Sequence, residues 1–292
     1  ARRLADGSTR TLLTGEGHYK GLAFDDHAAT LAFLTDRDSY KADAPAYHLY
    51  AWSTKSDTAT ELAVPAAQAL AVSEFGKVEF SKDGSRLFFG TAPAPRPEPE
   101  DSGDAVKVDL WHYNDPLIQP MQKLRAEGEK KRTYRAEFIL GPAPRFVQLA
   151  APDLPELKTT DGTVALGLSG LPYRQLISWD DSYDDVYTVN LADGTRRRIQ
   201  EKAQFEPSLS PTGRFALIFE TADDAYYLVR TGDGQRTNLT KGLGVSFVSE
   251  EWDTLDHPRP YGHAGWTDGD KSVLLYDRYD IWEVPTDGTV AR

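Results

Sequence analysis

The side chains most suited to binding chemistry are two adjacent carboxylates and one arginine. Glu250 and Glu251 lie in a connection between predicted strands, and Arg278 lies between Asp277 and Tyr279 in another. Two carboxylates facing a dry cavity would hold an ammonium group through charge-assisted hydrogen bonds. Glu250, Glu251 and Arg278 are therefore candidate substrate-binding residues. The alternatives are ordinary surface charge for the glutamates and an ion pair within its own repeat for the arginine.

Other reactive or metal-binding patterns are weak. The six histidines contain no His-x-x-x-His pair, and we assign His112 a structural hydrogen bond. Two groups of aspartates could offer oxygens to calcium, but their spacing does not fit an EF-hand loop, so we expect solvated hairpin tips. These groups are Asp180, Asp181, Asp184 and Asp185, and Asp36 with Asp38. We predict no catalytic residue, no metal site and no cofactor in this chain.

Composition narrows the class of protein. The 292 residues include 33 Lys and Arg, 45 Asp and Glu, and no cysteine, for a formal net charge of -12. The acidic balance argues against nucleic acid or an anionic membrane surface as partner. No apolar run approaches the roughly 18 residues of a membrane span. The absence of cysteine excludes disulfides and thiolate metal sites.

Asp-Gly pairs divide the chain into short segments. Asp-Gly between apolar runs predicts a hairpin, because Gly adopts positive φ without steric cost and Asp bonds its own turn backbone. The flanking runs have strand length and composition, as in Phe215–Phe219 and Val273–Tyr276. The pairs begin at Asp6, Asp83, Asp161, Asp193, Asp233, Asp268 and Asp287.

These segments recur in a fixed order that predicts four short strands per repeat. Repeated four-stranded sheets are typical of a β-propeller, although the repeats exceed the roughly 40–50 residues of a simple blade. We predict an all-β single domain over 1–292 with about five blades and a part-blade. A β-sandwich remains an alternative, and a parallel α/β fold is disfavoured. The part-blade is 1–14, and the blades are about 20–62, 78–150, 155–199, 205–239 and 263–292.

One long insertion interrupts the second predicted blade. Residues 93–104 are rich in Pro and Glu and predict a mobile loop, after which 106–113 predict a strand. Asp115 followed by Pro116 resembles an N-cap and first helical position, and apolar residues continue at helical spacing. We therefore predict a helical insertion over about 115–131.

Both ends of the chain fall inside a repeat. Residues 1–14 match a second half-unit, and the chain stops at Arg292 before a full closing strand. The two part-blades could join into a ring of five, or the chain could be a fragment of a larger propeller. We favour the fragment. The first residues contain no Met and no apolar stretch, so no signal peptide is visible.

Three stretches carry a resemblance to a known family. They are 108–122, 208–214 and Leu275-Tyr276-Asp277-Arg278-Tyr279-Asp280-Ile281-Trp282, of which the last is the most specific. From about residue 20 onward, the chain resembles the N-terminal β-propeller region of bacterial prolyl oligopeptidase family serine peptidases. The Ser-Pro-x-Gly turn within 208–214 is shared with Tol-system propellers.

The resemblance implies a non-catalytic propeller that shields an active site and filters peptide substrates. The expected partner is a C-terminal α/β-hydrolase domain, absent from this chain, that carries the Ser-Asp-His triad. The closest match to its Gly-x-Ser-x-Gly elbow, Gly167-Leu168-Ser169-Gly170, fails the spacing. In aminodipeptidase relatives a glutamate pair on the propeller binds the substrate amino terminus. The sequence around Glu250 and Glu251 departs from that motif, so they are candidates by residue type and position alone. Export to the periplasm or extracellular space is also implied.

Two rival functions remain open at this stage. One is a stand-alone periplasmic propeller of the Tol type that acts as a protein-binding scaffold. The other is a propeller hydrolase or lyase with acid and base groups converging at the central channel, and sequence alone does not show such convergence. A downstream Gly-x-Ser-x-Gly would favour the peptidase, and a stop near Arg292 would favour the scaffold.

Overall fold

A computed structural model describes residues 1–65, 69–97 and 108–289. The chain divides into two compact units, Ala1–Pro152 and Asp153–Arg292. Each unit is built from antiparallel sheets whose strands come from one continuous stretch of the chain.

The first sheet of unit 1 is a four-stranded meander. Its strands are β1 (Tyr19–Phe24), β2 (Thr30–Thr35), β3 (His48–Ser53) and β4 (Thr60–Glu61). Ahead of it, Arg2 and Thr9 form an isolated antiparallel bridge. Leu12 then packs on this sheet, and its carbonyl accepts the Ala59 N–H over 2.8 Å. The predicted part-blade thus contributes an apolar anchor to the meander.

The second sheet of unit 1 contains two short strands on one side of a long strand. Its members are β5 (Ala71–Val72), β6 (Glu79–Phe80), β7 (Arg86–Ala92), β8 (Tyr134–Ile139) and β9 (Arg145–Gln148). Both β5 and β6 pair with β7. Alternation along β7 directs Leu87 and Phe89 into a core shared with Leu34 and Leu49 of the first sheet. Apolar burial between the two sheets therefore holds unit 1 together.

The insertion between β7 and β8 contains a helix, as predicted, but the helix begins later than the Asp115-Pro116 pair suggested. Helix α1 spans Gln119–Lys130, with Ile118 at its N-cap position. Pro120 occupies the first turn, where its missing N–H removes no intrahelical hydrogen bond. The predicted start was wrong because Pro120, not Pro116, is the proline of the first turn.

The strand predicted over residues 106–113 was also wrong from Val108 onward, where the backbone forms no strand. His112 therefore lies in a loop. Its backbone N–H donates to the Asp115 carboxylate over 2.8 Å, and this bond closes a turn instead of a sheet ladder. Residues 106 and 107, with most of the predicted mobile loop, lie outside the described part of the chain.

Unit 2 contains three consecutive meanders. The first is β10 (Glu156–Lys158), β11 (Val164–Ser169), β12 (Asp184–Asn190) and β13 (Arg196–Ala203). The second is β14 (Ser208–Leu209), β15 (Phe215–Glu220), β16 (Ala225–Arg230) and β17 (Arg236–Asn238). The third is β18 (His263–Trp266), β19 (Ser272–Tyr276) and β20 (Ile281–Pro285).

Tight turns and alternating apolar residues explain these meanders. In the β12–β13 turn, Gly194 has φ 74°, and the Asp193 carboxylate accepts the Thr195 N–H over 2.9 Å. Leu166 and Ile218 fill the core between the first two sheets, and Phe219 and Leu275 fill the core between the second and third. The four-stranded antiparallel meander is the blade of a β-propeller. The predicted class, all-β with propeller-type blades and one helical insertion, is confirmed.

Candidate functional site

The two long connections of the described part of unit 2, β11–β12 and β17–β18, emerge at the same edge of its sheets. In a meander the connections alternate between the two ends, so the links after the second and fourth strands share an edge. This loop edge, as we name it, carries the β11–β12, β13–β14, β15–β16, β17–β18 and β19–β20 connections. Glu250, Glu251 and Arg278 all belong to it.

The β17–β18 connection presents the two glutamates on a short two-stranded stem. Val248 and Pro260 form an antiparallel bridge. The Ser249 N–H donates to the Arg259 carbonyl over 2.9 Å. The Glu250 N–H donates to the Tyr261 hydroxyl over 3.2 Å. The stem therefore fixes the backbone from which both glutamate side chains project.

The β19–β20 turn presents Arg278. The Asp277 carboxylate accepts the N–H groups of Tyr279 and Asp280 over 2.7 and 2.6 Å, and the Trp282 indole N–H over 2.8 Å. These hydrogen bonds, that of Trp282 first, lower the pKa of Asp277 and keep it an acceptor. Within the stretch that resembles the peptidase family, Asp277 thus shapes the turn and Arg278 points outward.

The structure brings the three predicted site residues together. The Arg278 guanidinium donates to Glu251 Oε1 and lies 4.0 Å from Glu250 Oε2. It also lies 5.1 Å from the centre of the Tyr279 ring. The side chains of Glu250 and Glu251 are 53% and 74% exposed, so they face solvent and not the dry cavity considered above. Two carboxylates against one guanidinium leave the cluster with excess negative charge.

A cleft of about 240 Å³ opens on the same edge. It is lined by Asp181, Gln204, Phe205, Asp256, His257, Arg259 and Pro260. The Gln204 amide donates to Asp181 over 2.7 Å, and Phe205 packs edge-on against His257. The Arg259 guanidinium lies 5.4 Å from the Trp252 ring centre. The cleft therefore combines an aromatic wall with carboxylates and a guanidinium.

His257 ties the cleft to the neighbouring β15–β16 turn. Its Nε2 lies 3.0 Å from both the Thr221 carbonyl and Asp224 Oδ1, and its Nδ1 lies 2.9 Å from the Pro258 carbonyl. An N–H at Nε2 donates to these oxygens of the β15–β16 turn, so His257 cross-links two connections.

Sequence reasoning named Asp181 only as part of an aspartate group and missed the cleft, because three separate connections supply its residues. No periodic pattern marks a residue between strands. The available signal was the concentration of Trp, His, Arg and Pro in residues 252–260, which exceeds what a plain hairpin turn requires.

The remaining candidates have structural roles. Ser169, the serine nearest to an elbow motif, is buried at the end of β11, and its hydroxyl donates to the Asp153 carbonyl over 2.8 Å. Asp185 accepts the Tyr173 hydroxyl over 2.7 Å and the Lys202 N–H over 3.1 Å. Within residues 1–65, 69–97 and 108–289, no three His, Cys, Asp or Glu side chains are placed to hold a metal ion. None of the helices in that part of the chain is long and apolar enough to cross a membrane.

Comparisons with known proteins return structural likeness alone. No protein-family model matches the chain. None of the curated proteins matches its sequence. Among solved structures, a putative TolB from Agrobacterium tumefaciens is 14% identical with a TM-score of 0.32, over 94% of this chain and 80% of that protein.

Peptidases are also among the structural neighbours. An acylaminoacyl peptidase from Pyrococcus horikoshii is 14% identical with a TM-score of 0.35, over 100% of this chain and 40% of the peptidase. A prolyl endopeptidase is 12% identical with a TM-score of 0.40, over 100% of this chain and 38% of that protein. The chain thus spans less than half the length of these two peptidases. The fold class itself rests on the strand order described above.

Proposed function

We propose that this chain is the non-catalytic propeller region of a prolyl oligopeptidase-like serine peptidase. In this role it shields an active site on a separate α/β-hydrolase domain and filters peptide substrates by size. The observation that carries the proposal concerns Leu275–Trp282, the stretch with the most specific family resemblance. This stretch places Arg278 against Glu250 and Glu251 at the loop edge.

The cluster of Glu250, Glu251 and Arg278 is suited to contact with a peptide. Its excess negative charge attracts the ammonium group of a free amino terminus, and a guanidinium donates well to peptide carbonyls. All three side chains are partly or largely exposed, so a peptide reaches them without rearrangement of the core. We assign the cluster the role of recognising peptides as they pass the loop edge.

The environment of Ser169 supports a non-catalytic role for this chain. A serine nucleophile needs an adjacent general base and access to substrate. Ser169 is buried and donates to a backbone carbonyl. His257 bonds to carbonyl and carboxylate oxygens. In this proposal the bond-breaking serine, histidine and acid come from the hydrolase domain.

The first test is the gene beyond residue 292, together with labelling of the complete gene product by a fluorophosphonate. We expect a downstream Gly-x-Ser-x-Gly in an α/β pattern, an upstream export signal, and label on the elbow serine. Label on a serine within residues 1–292 would overturn the non-catalytic assignment. A gene that ends near residue 292 would instead favour the Tol-type scaffold.

The second test addresses the cluster in that complete product. Glu250→Gln and Glu251→Gln should raise KM for peptides with a free amino terminus and leave acetylated peptides unchanged. Asp43→Asn, at another exposed carboxylate, is the control. Equal effects on free and acetylated peptides would remove the cluster from substrate recognition.

A further inference from the structure

The helical insertion of unit 1 is unusually exposed. Helix α1 buries none of its residues, and Leu124 in its centre is 85% exposed. The segment before the helix exposes Leu110 (91%), Trp111 (65%) and Tyr113 (81%). Concentrated exposed apolar side chains mark interaction surfaces more often than isolated ones do.

The exposed segment is fixed to the helix. The Asp109 carboxylate accepts the Gln119 amide over 3.1 Å and forms an ion pair with Lys123. Asp115 accepts the Gln122 amide over 3.2 Å. These contacts at two points make the insertion one folded piece, so its apolar residues keep a defined position relative to α1.

Gly128 lies inside α1, and no contact among the described residues requires a glycine there. A glycine in a helix interior costs about 1 kcal/mol relative to alanine. Gly128 does not have a positive φ, and a Cβ added there would meet no described atom within 4 Å. It lies one turn after Leu124, on the same face of the helix. This face therefore carries a projecting leucine followed by an open gap.

We propose that two copies of this chain associate through antiparallel α1 helices. When a second copy runs in the opposite direction with Ala126 at the centre, Leu124 of each copy lies opposite Gly128 of the other. The leucine then fills the space that the missing Cβ leaves. A twofold interface requires such self-complementarity.

The charges beside this face are self-complementary in the same sense. Lys123 and Glu127 lie on one flank of the Leu124–Gly128 face, and Arg125 and Glu129 lie on the other. On each flank the basic residue precedes the acidic residue by one helical turn. An antiparallel copy therefore places Lys123 against Glu127 of the other copy, and Arg125 against Glu129. A parallel copy would oppose like charges.

The ion pairs within each copy do not prevent the ion pairs between copies. Lys123 pairs with Asp109, Glu127 lies 3.1 Å from Lys130, and Glu129 pairs with Arg132. These pairs are exposed, and such pairs contribute little to stability. Desolvation on association would strengthen the new pairs relative to the old ones. The exposed Leu110, Trp111 and Tyr113 add apolar area beside the helices.

The test is the molar mass of this chain in solution as a function of concentration, by sedimentation equilibrium. We expect a monomer–dimer equilibrium for the wild type. Gly128→Leu fills the gap with a better helix former, so it should keep or raise helicity by circular dichroism and abolish the dimer. Gly141→Leu, at another glycine with open space, should leave the dimer intact.

A charge exchange tests the orientation. Arg125→Glu should raise the dissociation constant by about tenfold or more at low salt, because it faces Glu129 of the second copy. Adding Glu129→Arg should restore association. A wild type that is monomeric at all concentrations would overturn the proposal, as would dimers that persist in Gly128→Leu or a double variant that stays dissociated.

Discussion

Arg86 and Glu137 form a buried ion pair across the β7–β8 ladder, with Arg86 Nη1 donating to Glu137 Oε1 over 2.6 Å. Glu137 is 0% exposed, and its second oxygen has no hydrogen-bond partner in the described part of the chain. Burial raises the pKa of Glu137 to about 7, although Arg86, Arg145 and Arg135 favour the charged form. Desolvation of the carboxylate therefore outweighs its ion pair.

This balance predicts a pH dependence of stability. The folded pKa of Glu137 lies above its ordinary value of 4.5, so the folded state retains a proton that the unfolded state releases. Its stabilising contribution is fully present below about pH 4.5 and is lost as the pH rises through about 7. The free energy of unfolding should fall by up to roughly 3 kcal/mol across this interval.

Glu137→Gln removes the titrating group, so this component of the pH dependence should disappear. Urea unfolding at intervals from about pH 4 to 8 gives the difference between wild type and variant. Glu16→Gln, at an exposed carboxylate, serves as the control and should retain the wild-type dependence. Parallel curves for wild type and Glu137→Gln would contradict the assignment.

Asp270 is a second buried carboxylate, after Glu137, and it stabilises unit 2 through hydrogen bonds. It accepts the Thr212 N–H over 3.3 Å and the Thr212 hydroxyl, and Arg214 Nε lies 3.7 Å away. Burial alone would raise the pKa of Asp270, but hydrogen bonds from Thr212 and Ser210 bring it below its ordinary value. Its contribution is therefore present above the ordinary value of 3.8 and is lost as the pH falls through the folded pKa.

Two substitutions distinguish the contribution of the Asp270 carboxylate from that of the backbone conformation at this residue. The residue has φ 57°, which asparagine tolerates better than alanine. Asp270→Ala should lower the free energy of unfolding by about 2–4 kcal/mol, because Thr212 loses its acceptor and the backbone is strained. Asp270→Asn should cost less. Unfolding in urea at pH 7 measures both, and an alanine variant as stable as wild type would refute the role.

Much of the fold followed from local sequence. Asp193-Gly194 and Asp233-Gly234 predicted hairpin turns, and both glycines have positive φ in turns between paired strands. Runs such as Phe215–Glu220 form strands because alternate residues face a core. Turn chemistry and apolar alternation are local properties, so a single sequence reveals them.

The features that depend on distant contacts were not predictable in this way. Trp111 and its neighbours have strand composition, yet they form no strand and lie exposed beside α1. The burial of Glu137 and the cleft position of His257 depend on which chain segments meet. The meeting of Glu250, Glu251 and Arg278 was not derivable from their spacing, although each was selected separately.

Gly76 and Gly90 show a close approach that only glycine permits. Between β5 and β6 the chain runs beside β7, and a Cβ on Gly76 would overlap the Cα of Gly90. A Cβ on Gly90 would also lie 2.9 Å from the Thr133 Cβ. Gly76→Ala and Gly90→Ala should each destabilise unit 1 by about 2 kcal/mol or more, since backbone must move.

Thermal or urea unfolding measures this loss, and Gly141→Ala is the matched control, because a Cβ there meets no atom within 4 Å. We expect the control to remain within about 0.5 kcal/mol of wild type. If Gly76→Ala behaved like the control, the close approach of the two backbones would be wrong.

His257 should stabilise the closed conformation of the β17–β18 connection against local opening. His257→Phe keeps the aromatic contact with Phe205 but removes the hydrogen bonds to Thr221 and Asp224. Each lost bond leaves an acceptor to be resolvated, so the connection should open more often. Amide hydrogen exchange should accelerate in residues 249–261 by several-fold and stay unchanged in β11 and β12.

His27→Phe provides the matched control, because His27 is an exposed histidine in unit 1. It should leave exchange in residues 249–261 at the wild-type rate. If His257→Phe also left that rate unchanged, the packing of Phe205 and the Val248–Pro260 bridge would suffice to hold the stem. The imidazole would then contribute no order to the cleft, and its hydrogen bonds to the β15–β16 turn would have no role in presenting Glu250 and Glu251.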